Sequence, residues 1–205
     1  MKPLLVYPLL LAAAAQLAAK DKLKETPFYP LQVGAVWHYR AGDGKFTIRV
    51  VKHEKVGDTL CALLETRRDG KVVGSEHLAV AADGVYRHDL TAGLPKPNAS
   101  PVTRRMKPPV LVLKLPPKKD DSWKVDSKSD GQTFHGEFRV DEQQITVPAG
   151  KYKTFRIRSE DLEVNALKAN ITTHFAEGVG MVKQVIEIGD SKVVIELEKF
   201  EAGGK

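Results

Sequence analysis

Ile145-Thr-Val-Pro-Ala-Gly-Lys-Tyr152 and Phe175-Ala-Glu-Gly-Val-Gly-Met-Val-Lys183 are the stretches that decide the fold class of this chain. Each places glycine between two apolar, strand-like runs, which is the pattern of an antiparallel hairpin because glycine supplies the positive φ of a tight turn. Glycine and aspartate separate further strand-like runs in the same way, at Gly42-Asp-Gly44, Gly57-Asp58, Asp69-Gly70, Asp83-Gly84, Asp130-Gly131 and Gly189-Asp190.

Between these turns, apolar and polar residues alternate with a period of two. Phe46, Ile48 and Val50 alternate with basic and hydroxyl side chains, and the same alternation recurs around Phe134, Phe155, Ile171 and Val193. One apolar and one polar face is typical of an antiparallel sheet. The sequence therefore predicts an all-β antiparallel meander that forms a half-barrel, a flattened barrel or a two-sheet sandwich.

The register of two strands can be predicted from this alternation. Phe155, Ile157 and Phe175 should be buried, whereas Arg156, Arg158 and His174 should be exposed. Trp37 and Trp123 each open an alternating segment, which favours core anchors over platforms that stack on sugars.

Residues 1–19 have the pattern of a secretory signal peptide. Lys2 precedes a short apolar run that ends in small residues, and cleavage after Ala15 or after Ala19 fits. The alternative is an apolar N-terminal helix of the mature fold. Export predicts a secreted or periplasmic protein, with residues 20–205 as a single all-β domain.

Cys61 is the single cysteine, so no internal disulfide can form and the core must hold the fold. It lies in an apolar strand with no base beside it in the sequence. We therefore expect a buried, unreactive thiol.

A weak internal echo suggests a duplication. Pro30 precedes Trp37 and Pro116 precedes Trp123 by the same interval, so the halves would be 27–90 and 116–201. Chance similarity among short strands explains the echo equally well. A proline-rich basic connector, residues 91–119, would join the halves.

That connector is the candidate binding site. It contains seven basic residues and no acidic one, within a chain of net charge +6: Lys96, Arg104, Arg105, Lys107, Lys114, Lys118 and Lys119. Exposed cations on an extended segment suit an anionic surface or envelope component. The alternative is a solvated connector that keeps a sheet edge soluble. Export and the lack of interleaved aromatic residues argue against nucleic acid.

Three motifs together resemble a group of uncharacterised bacterial secreted proteins and lipoproteins. They are Pro-Leu-x-x-Gly-x-x-Trp (residues 30–37), Val-Pro-Ala-Gly-x-Tyr (147–152) and Gly-Val-Gly-x-Val-Lys (178–183). The resemblance implies an antiparallel half-barrel or flattened barrel, distantly similar to periplasmic lipoprotein carriers. It implies no catalytic residue. The chain lacks a lipidation cysteine after its apolar N-terminus, which favours a form without a lipid anchor.

No motif of hydrolytic, phosphate-binding or redox chemistry occurs, and the six histidines are scattered. We therefore expect no catalytic residue, no metal site and no cofactor. The first hypothesis is a non-catalytic exported binding or scaffold domain. The alternatives are a periplasmic carrier of a hydrophobic ligand, such as a lipid or lipoprotein, and an enzyme with an unrecognised site.

Overall fold

Twelve antiparallel strands form one closed barrel in the computed structural model of the protein, which describes residues 22–92, 102–130, 132–164 and 167–204. The strands are β1 (Val36–Ala41), β2 (Gly44–Val56), β3 (Thr59–Arg68), β4 (Lys71–Val80), β5 (Gly84–Ala92), β6 (Val102–Lys114), β7 (Ser122–Ser129), β8 (Gln132–Val147), β9 (Gly150–Val164), β10 (Leu167–Ala176), β11 (Gly180–Ile188) and β12 (Ser191–Glu201). The residues of the predicted signal peptide lie outside the described ranges.

Each strand pairs with its neighbours in the chain, and β1 pairs with β12 to close the barrel. The predicted all-β antiparallel meander is confirmed, and a single closed sheet decides among the three architectures that the sequence left open. No helix among the described residues is long and apolar enough to cross a membrane.

Paired residues in neighbouring strands share a face of the sheet, so the register assigns each side chain to the inside or the outside. Trp37 pairs with Ile48, Tyr39 with Phe46 and Leu197, and Val50 with Leu64. These residues belong to or pack on the central apolar cluster, so their face is the inward face.

The N-terminal segment, residues 22–35, packs into one end of the barrel. Tyr29 is buried against Trp37 and Phe175, with ring centroids 5.7 and 5.6 Å apart. Backbone hydrogen bonds fasten the segment on two sides, from Gly178 N–H to the Pro27 carbonyl and from Gly34 N–H to the Val50 carbonyl. We call the opposite end, which carries the β1–β2, β3–β4, β7–β8, β9–β10 and β11–β12 turns, the distal mouth.

The chain predicted to be a connector contributes a strand to the barrel. Val102–Lys114 forms β6, which pairs with β5 along most of its length but with β7 only at Lys107 and Lys128. Pro108 and Pro109 cannot donate backbone hydrogen bonds, which weakens the β6–β7 ladder. Side chains join these strands instead, because the Trp123 indole donates to the Leu111 carbonyl at 3.0 Å and Ser127 Oγ donates to the Pro108 carbonyl at 2.6 Å.

The register prediction for β9 and β10 is confirmed for Ile157, Phe175 and Arg158 and wrong for His174, while Phe155 and Arg156 are both half-buried. Ile157 and Phe175 are buried, Phe155 is half-buried against Phe28, and Arg158 is exposed. His174 does belong to the outward row, but only 5% of it is exposed. Its cross-strand partners are the long side chains of Arg156 and Lys183, and Thr154 contacts its ring, so neighbours rather than the barrel interior bury it.

Gly180 is the glycine whose replacement should cost most in the β10–β11 turn. Its φ of +91° suits glycine, and an added Cβ would lie 3.1 Å from the Tyr29 ring and 3.5 Å from the Trp37 indole nitrogen. Gly178 in the same turn also has a positive φ, +76°, but an added Cβ there would meet nothing within 4 Å.

We therefore expect Gly180→Ala to lower the free energy of unfolding by about 2–3 kcal/mol, because it combines backbone strain with crowding in the core. Gly178→Ala, the control, should cost only the strain of about 1 kcal/mol. Chemical denaturation of both variants measures the difference. Equal losses would show that the Tyr29–Trp37 contact does not constrain this turn.

Candidate ligand-binding interior

The distal mouth exposes large apolar side chains that face inward. Leu167, Ile188 and Val193 are 64%, 47% and 46% exposed. Each is on the inward face by register, since Val193 pairs with Ile186, Ile188 with Ala169, and Leu167 with Val164. On a barrel, solvated side chains are expected on the outside, so an inward apolar set that stays exposed marks an unfilled end.

Strand number explains why this end is not filled by its own side chains. An eight-stranded barrel is just filled by inward side chains, and more strands enclose a wider interior. Here twelve strands close the barrel, and the N-terminal segment fills only the end opposite the distal mouth. Inward residues between the two ends, such as Phe46, Ile48, Phe134 and Ile171, are half-buried rather than sealed.

An ion pair lies on the inward face of β4 and β5. Arg87 Nε donates to Glu76 Oε2 at 2.7 Å, and the two side chains are 33% and 13% exposed. Glu76 pairs with the core residue Leu64 and Arg87 with Leu78, which places both inside the barrel. Burial acts to lower the pKa of Arg87, but the Glu76 carboxylate more than offsets it and raises that pKa, so Arg87 stays charged.

The tyrosines near this ion pair remain neutral. Burial raises the pKa of Tyr29 and of Tyr39, and the Glu76 charge raises both further. The Tyr39 hydroxyl donates to the Met181 carbonyl at 2.7 Å, and the Trp37 indole donates to the Val179 carbonyl at 2.6 Å. These polar groups are engaged in fixing β1 against the β10–β11 turn, so they are structural.

The structure separates the residues of the predicted basic site. Arg105 and Lys107 are exposed on the outside of β6, Lys118 and Lys119 are exposed before β7, and Lys114 donates to Asp121 at 3.3 Å. Lys96 lies outside the described residues. Arg104 is different, because it pairs with the inward Leu90, which pairs with Glu76, and it is half-buried inside the barrel.

A groove of about 690 Å³ lies on the surface near the N-terminal segment. The β8–β9 hairpin, Phe28 and the start of the β10–β11 turn form its walls, with the edge-on contact of Phe28 and Phe155 at 5.6 Å. Its rim carries Glu142, Lys151, Lys153 and Glu177. It is therefore a polar, open depression, unlike the enclosed apolar cavity that typifies carriers of hydrophobic ligands.

His77 is held between two carboxylates on the outside of the barrel. Its Nδ1 lies 2.8 Å from Asp89 and its Nε2 lies 3.1 Å from Glu54. The Asp89 hydrogen bond raises the pKa of His77, and a ring that donates from both nitrogens is not available as a general base. Burial raises the pKa of the Cys61 thiol to about 11, and the thiol is fully buried, which confirms the expected unreactive cysteine.

No three or more His, Cys, Asp or Glu side chains within the described ranges are grouped so that they could hold a metal ion. A row of charged partners instead crosses the outside of the sheet. Arg156 donates twice to Asp141 at 2.7 and 2.6 Å, and Glu196 accepts from Lys183 at 2.9 Å and from Arg40 at 2.7 Å.

His174 lies in that row, between Arg156 and Lys183. Burial, and then these two positive charges, lower the pKa of His174 to about 4. Thr154 Oγ1 donates to the Gln143 carbonyl and lies 3.1 Å from His174 Nδ1, so Nδ1–H is the donor in that contact.

The low pKa of His174 makes stability depend on pH. In the unfolded chain the ring takes up a proton near pH 6.5, whereas in the folded protein it does so near pH 4, so this contribution to stability is present above pH 6.5 and is lost as pH falls. His77 acts in the opposite direction because its pKa is raised. The effect of His174 must therefore be measured as a difference between variants.

We expect His174→Gln to remove this pH dependence. Between pH 7 and pH 5 the unfolding free energy of the unsubstituted protein should fall by about 2 kcal/mol more than that of the variant. Urea denaturation at both pH values measures it, with His135→Gln, an exposed histidine, as the control. A variant that loses as much stability as the unsubstituted protein would contradict a neutral, buried His174.

No protein-family model matches the sequence, and a search of curated proteins finds no match. Two solved structures are similar to this barrel. A predicted exported protein with a YmcC-like fold from Bacteroides fragilis is 15% identical, with 85% of this chain and 98% of that chain covered and a TM-score of 0.48. A predicted lipoprotein from Parabacteroides distasonis is 12% identical, with 87% and 100% covered and a TM-score of 0.51. At this identity the second likeness shows that the fold is shared and nothing further.

Proposed function

We propose that this protein is an exported, non-catalytic β-barrel that binds a hydrophobic ligand through its distal mouth. The observation that carries the proposal is the set of exposed apolar side chains that face inward there, Leu167, Ile188 and Val193. A ligand seated among them would remove apolar surface from water, which contributes about 25 cal/mol for each Å² buried. A purely structural barrel would gain nothing from keeping these side chains exposed.

The absence of catalysis is supported by the state of the reactive groups. The Cys61 thiol is buried with a raised pKa, His77 is held by two carboxylates, and His174 is buried between two cations. A nucleophile, a base and a substrate pocket are therefore not brought together by these residues. Export is supported by the signal-like residues 1–19.

Val193→Lys tests the mouth directly. Val193 is half exposed already, so a lysine there should not disturb the fold, but it would put a charge on the path of an apolar ligand. We expect the affinity for the uncharged fluorescent probe N-phenyl-1-naphthylamine to fall about tenfold, the effect of losing roughly 1.4 kcal/mol.

Val33→Lys is the matched control. Val33 is the same residue type at a similar exposure, 44%, but it belongs to the N-terminal segment at the other end of the barrel. Probe titration of both variants and of the unsubstituted protein decides the matter. No probe binding by the unsubstituted protein, or an equal loss in both variants, would remove the mouth as a binding site.

A second candidate function is attachment to an anionic surface through the outside of β6 and β7. Lys107 and Lys128 are both exposed and lie directly opposite each other. Within the described ranges they form the one ladder pair between β6 and β7. Like charges opposite each other destabilise a sheet, which favours a role outside folding. Arg105 extends the positive face on β6. The partner would be an anionic lipid surface of the envelope.

We expect the double variant Lys107→Ser, Lys128→Ser to bind vesicles of anionic phospholipid less than the unsubstituted protein does at low salt. The difference should vanish at high salt, because exposed charges are screened beyond about 8–10 Å near physiological ionic strength. Co-sedimentation measures binding. The control, Lys151→Ser, Lys153→Ser, removes two exposed lysines elsewhere. If both double variants lose binding equally, only net charge is being sensed.

A further inference from the structure

Among the described residues, three charged side chains lie on the inward face between the distal mouth and the end filled by the N-terminal segment. They are Glu76, Arg87 and Arg104. Glu76 and Arg104 occupy the same row across the sheet, with Leu90 between them, so their backbones are about 10 Å apart. The row includes Leu64 of β3, which lies four residues before Arg68 at the distal end of that strand, so the row is about 13 Å into the barrel. Two cations and one anion leave this group with a net positive charge.

The guanidinium of Arg87 uses only part of its hydrogen-bonding capacity. Its Nε donates to Glu76, and within the described ranges its two terminal nitrogens take part in no hydrogen bond or ion pair. A third of the side chain remains accessible although the residue faces the interior. A guanidinium presents five donors in a planar fork, so the free edge of Arg87 can still bind a carboxylate or a phosphate.

Arg104 forms no ion pair with any described residue and is half-buried. Arg104 is nearer the distal mouth than Arg87 is. It pairs with Leu90, and β5 runs from Arg87 past the irregularity at His88 to Leu90 in the direction of the mouth. A charged group inside a protein is costly unless it is paired. Because none of the described residues pairs with it, Arg104 points to an anion supplied from outside the chain.

β6 is irregular next to this site, although Arg104 faces inward because it pairs with Leu90. Between the pairs Asp89–Arg105 and Arg87–Val110, β6 has four residues where β5 has one. This bulge contains Pro108 and Pro109, which cannot take part as donors in a regular ladder. Arg104 and Arg105 are neighbours in the sequence, yet they lie on opposite faces of the strand.

We infer that Arg104 and the free edge of Arg87 form the head-group site for an anionic amphiphile, a carboxylate or phosphate carried on an apolar chain. The chain would lie toward the mouth, against the inward side chains of Ile188 and Val193, and the head group would reach the arginine row. Arg87 stays neutralised by Glu76, so Arg104 supplies the net charge that the anion balances. This inference rests on the proposed function, since the apolar chain uses the same mouth.

The experiment compares head groups on one chain length, using the full mature protein and displacement of N-phenyl-1-naphthylamine by dodecanol, dodecanoate, dodecyl phosphate and inorganic phosphate. The unsubstituted protein should bind dodecanoate or dodecyl phosphate more tightly than dodecanol. The stronger of the two anions identifies the head group as carboxylate or phosphate. Inorganic phosphate that protects the protein from thermal unfolding as well as dodecyl phosphate does would overturn the inference that an apolar chain is needed.

Two adjacent arginines provide the variants. Arg104→Gln should lower the affinity for the anionic chains about tenfold, the usual effect of one charge-assisted hydrogen bond, and leave dodecanol binding unchanged. Arg104→Lys should restore part of the loss. Arg105→Gln removes the same charge from the outward face and should change neither. Two results would overturn the head-group site but not the proposed binding of an apolar ligand at the mouth. One is an equal loss of affinity for the anionic chains in Arg104→Gln and Arg105→Gln, and the other is dodecanol binding as tightly as dodecanoate. A protein that takes neither dodecanol nor dodecanoate would overturn the proposed function with it.

Discussion

Pairing of β1 with β12 is the constraint on which the rest of this structure depends. It joins the first and last strands of a meander, so the edges of these two strands pair with each other instead of remaining open to other chains. It also fixes which side chains face inward on all twelve strands, because a slip of one residue would exchange the two faces. The Trp37 and Tyr39 side chains fasten this closure, since both donate hydrogen bonds to carbonyls around the β10–β11 turn.

Closure has a geometric consequence that connects the fold to binding. Twelve strands enclose a wider interior than eight, and a folded protein must either fill that interior with side chains or leave part of it to solvent or a ligand. The N-terminal segment fills one end with Tyr29, Leu31 and Leu23. At the distal mouth the apolar side chains stay exposed, so the two ends of one barrel differ in what they can do.

The alternation of apolar and polar residues was sufficient to predict the strands, the antiparallel class and the core positions of Trp37, Ile157 and Phe175. It was insufficient for His174, because burial on the outside of a sheet depends on the size of cross-strand neighbours. Those neighbours, Arg156 and Lys183, are set by register, and the ladder is irregular just beyond His174. A local pattern cannot reveal which distant residue lies beside it.

The basic segment shows the same limit in the region that matters for binding. Its prolines predicted an extended chain, which is correct for a strand as well as for a connector, so composition could not tell the two apart. The sequence treats Arg104 and Arg105 as one cluster, whereas the strand sends them to opposite faces. The six of these charges that the structure describes are thereby divided between the outside of the barrel, the turn before β7 and the interior. A search of the sequence for alternation within Val102–Arg105 could have found this division, had the segment been recognised as a strand.

The Glu76–Arg87 pair is the strongest reason to regard the interior as more than packing. A buried ion pair is weak support for stability, because the cost of desolvation offsets much of the attraction, and apolar residues of similar size often replace such pairs without loss. Here the pair lies among apolar side chains on the inward face, and Arg87 keeps a third of its side chain accessible. Arg104 lies two strands away from Glu76 and has no counter-ion among the residues that the structure describes. Folding alone would favour leucine at all three positions. An interior that must distinguish one end of an amphiphile from the other requires charge there, and it requires that charge to remain incompletely paired until the ligand arrives.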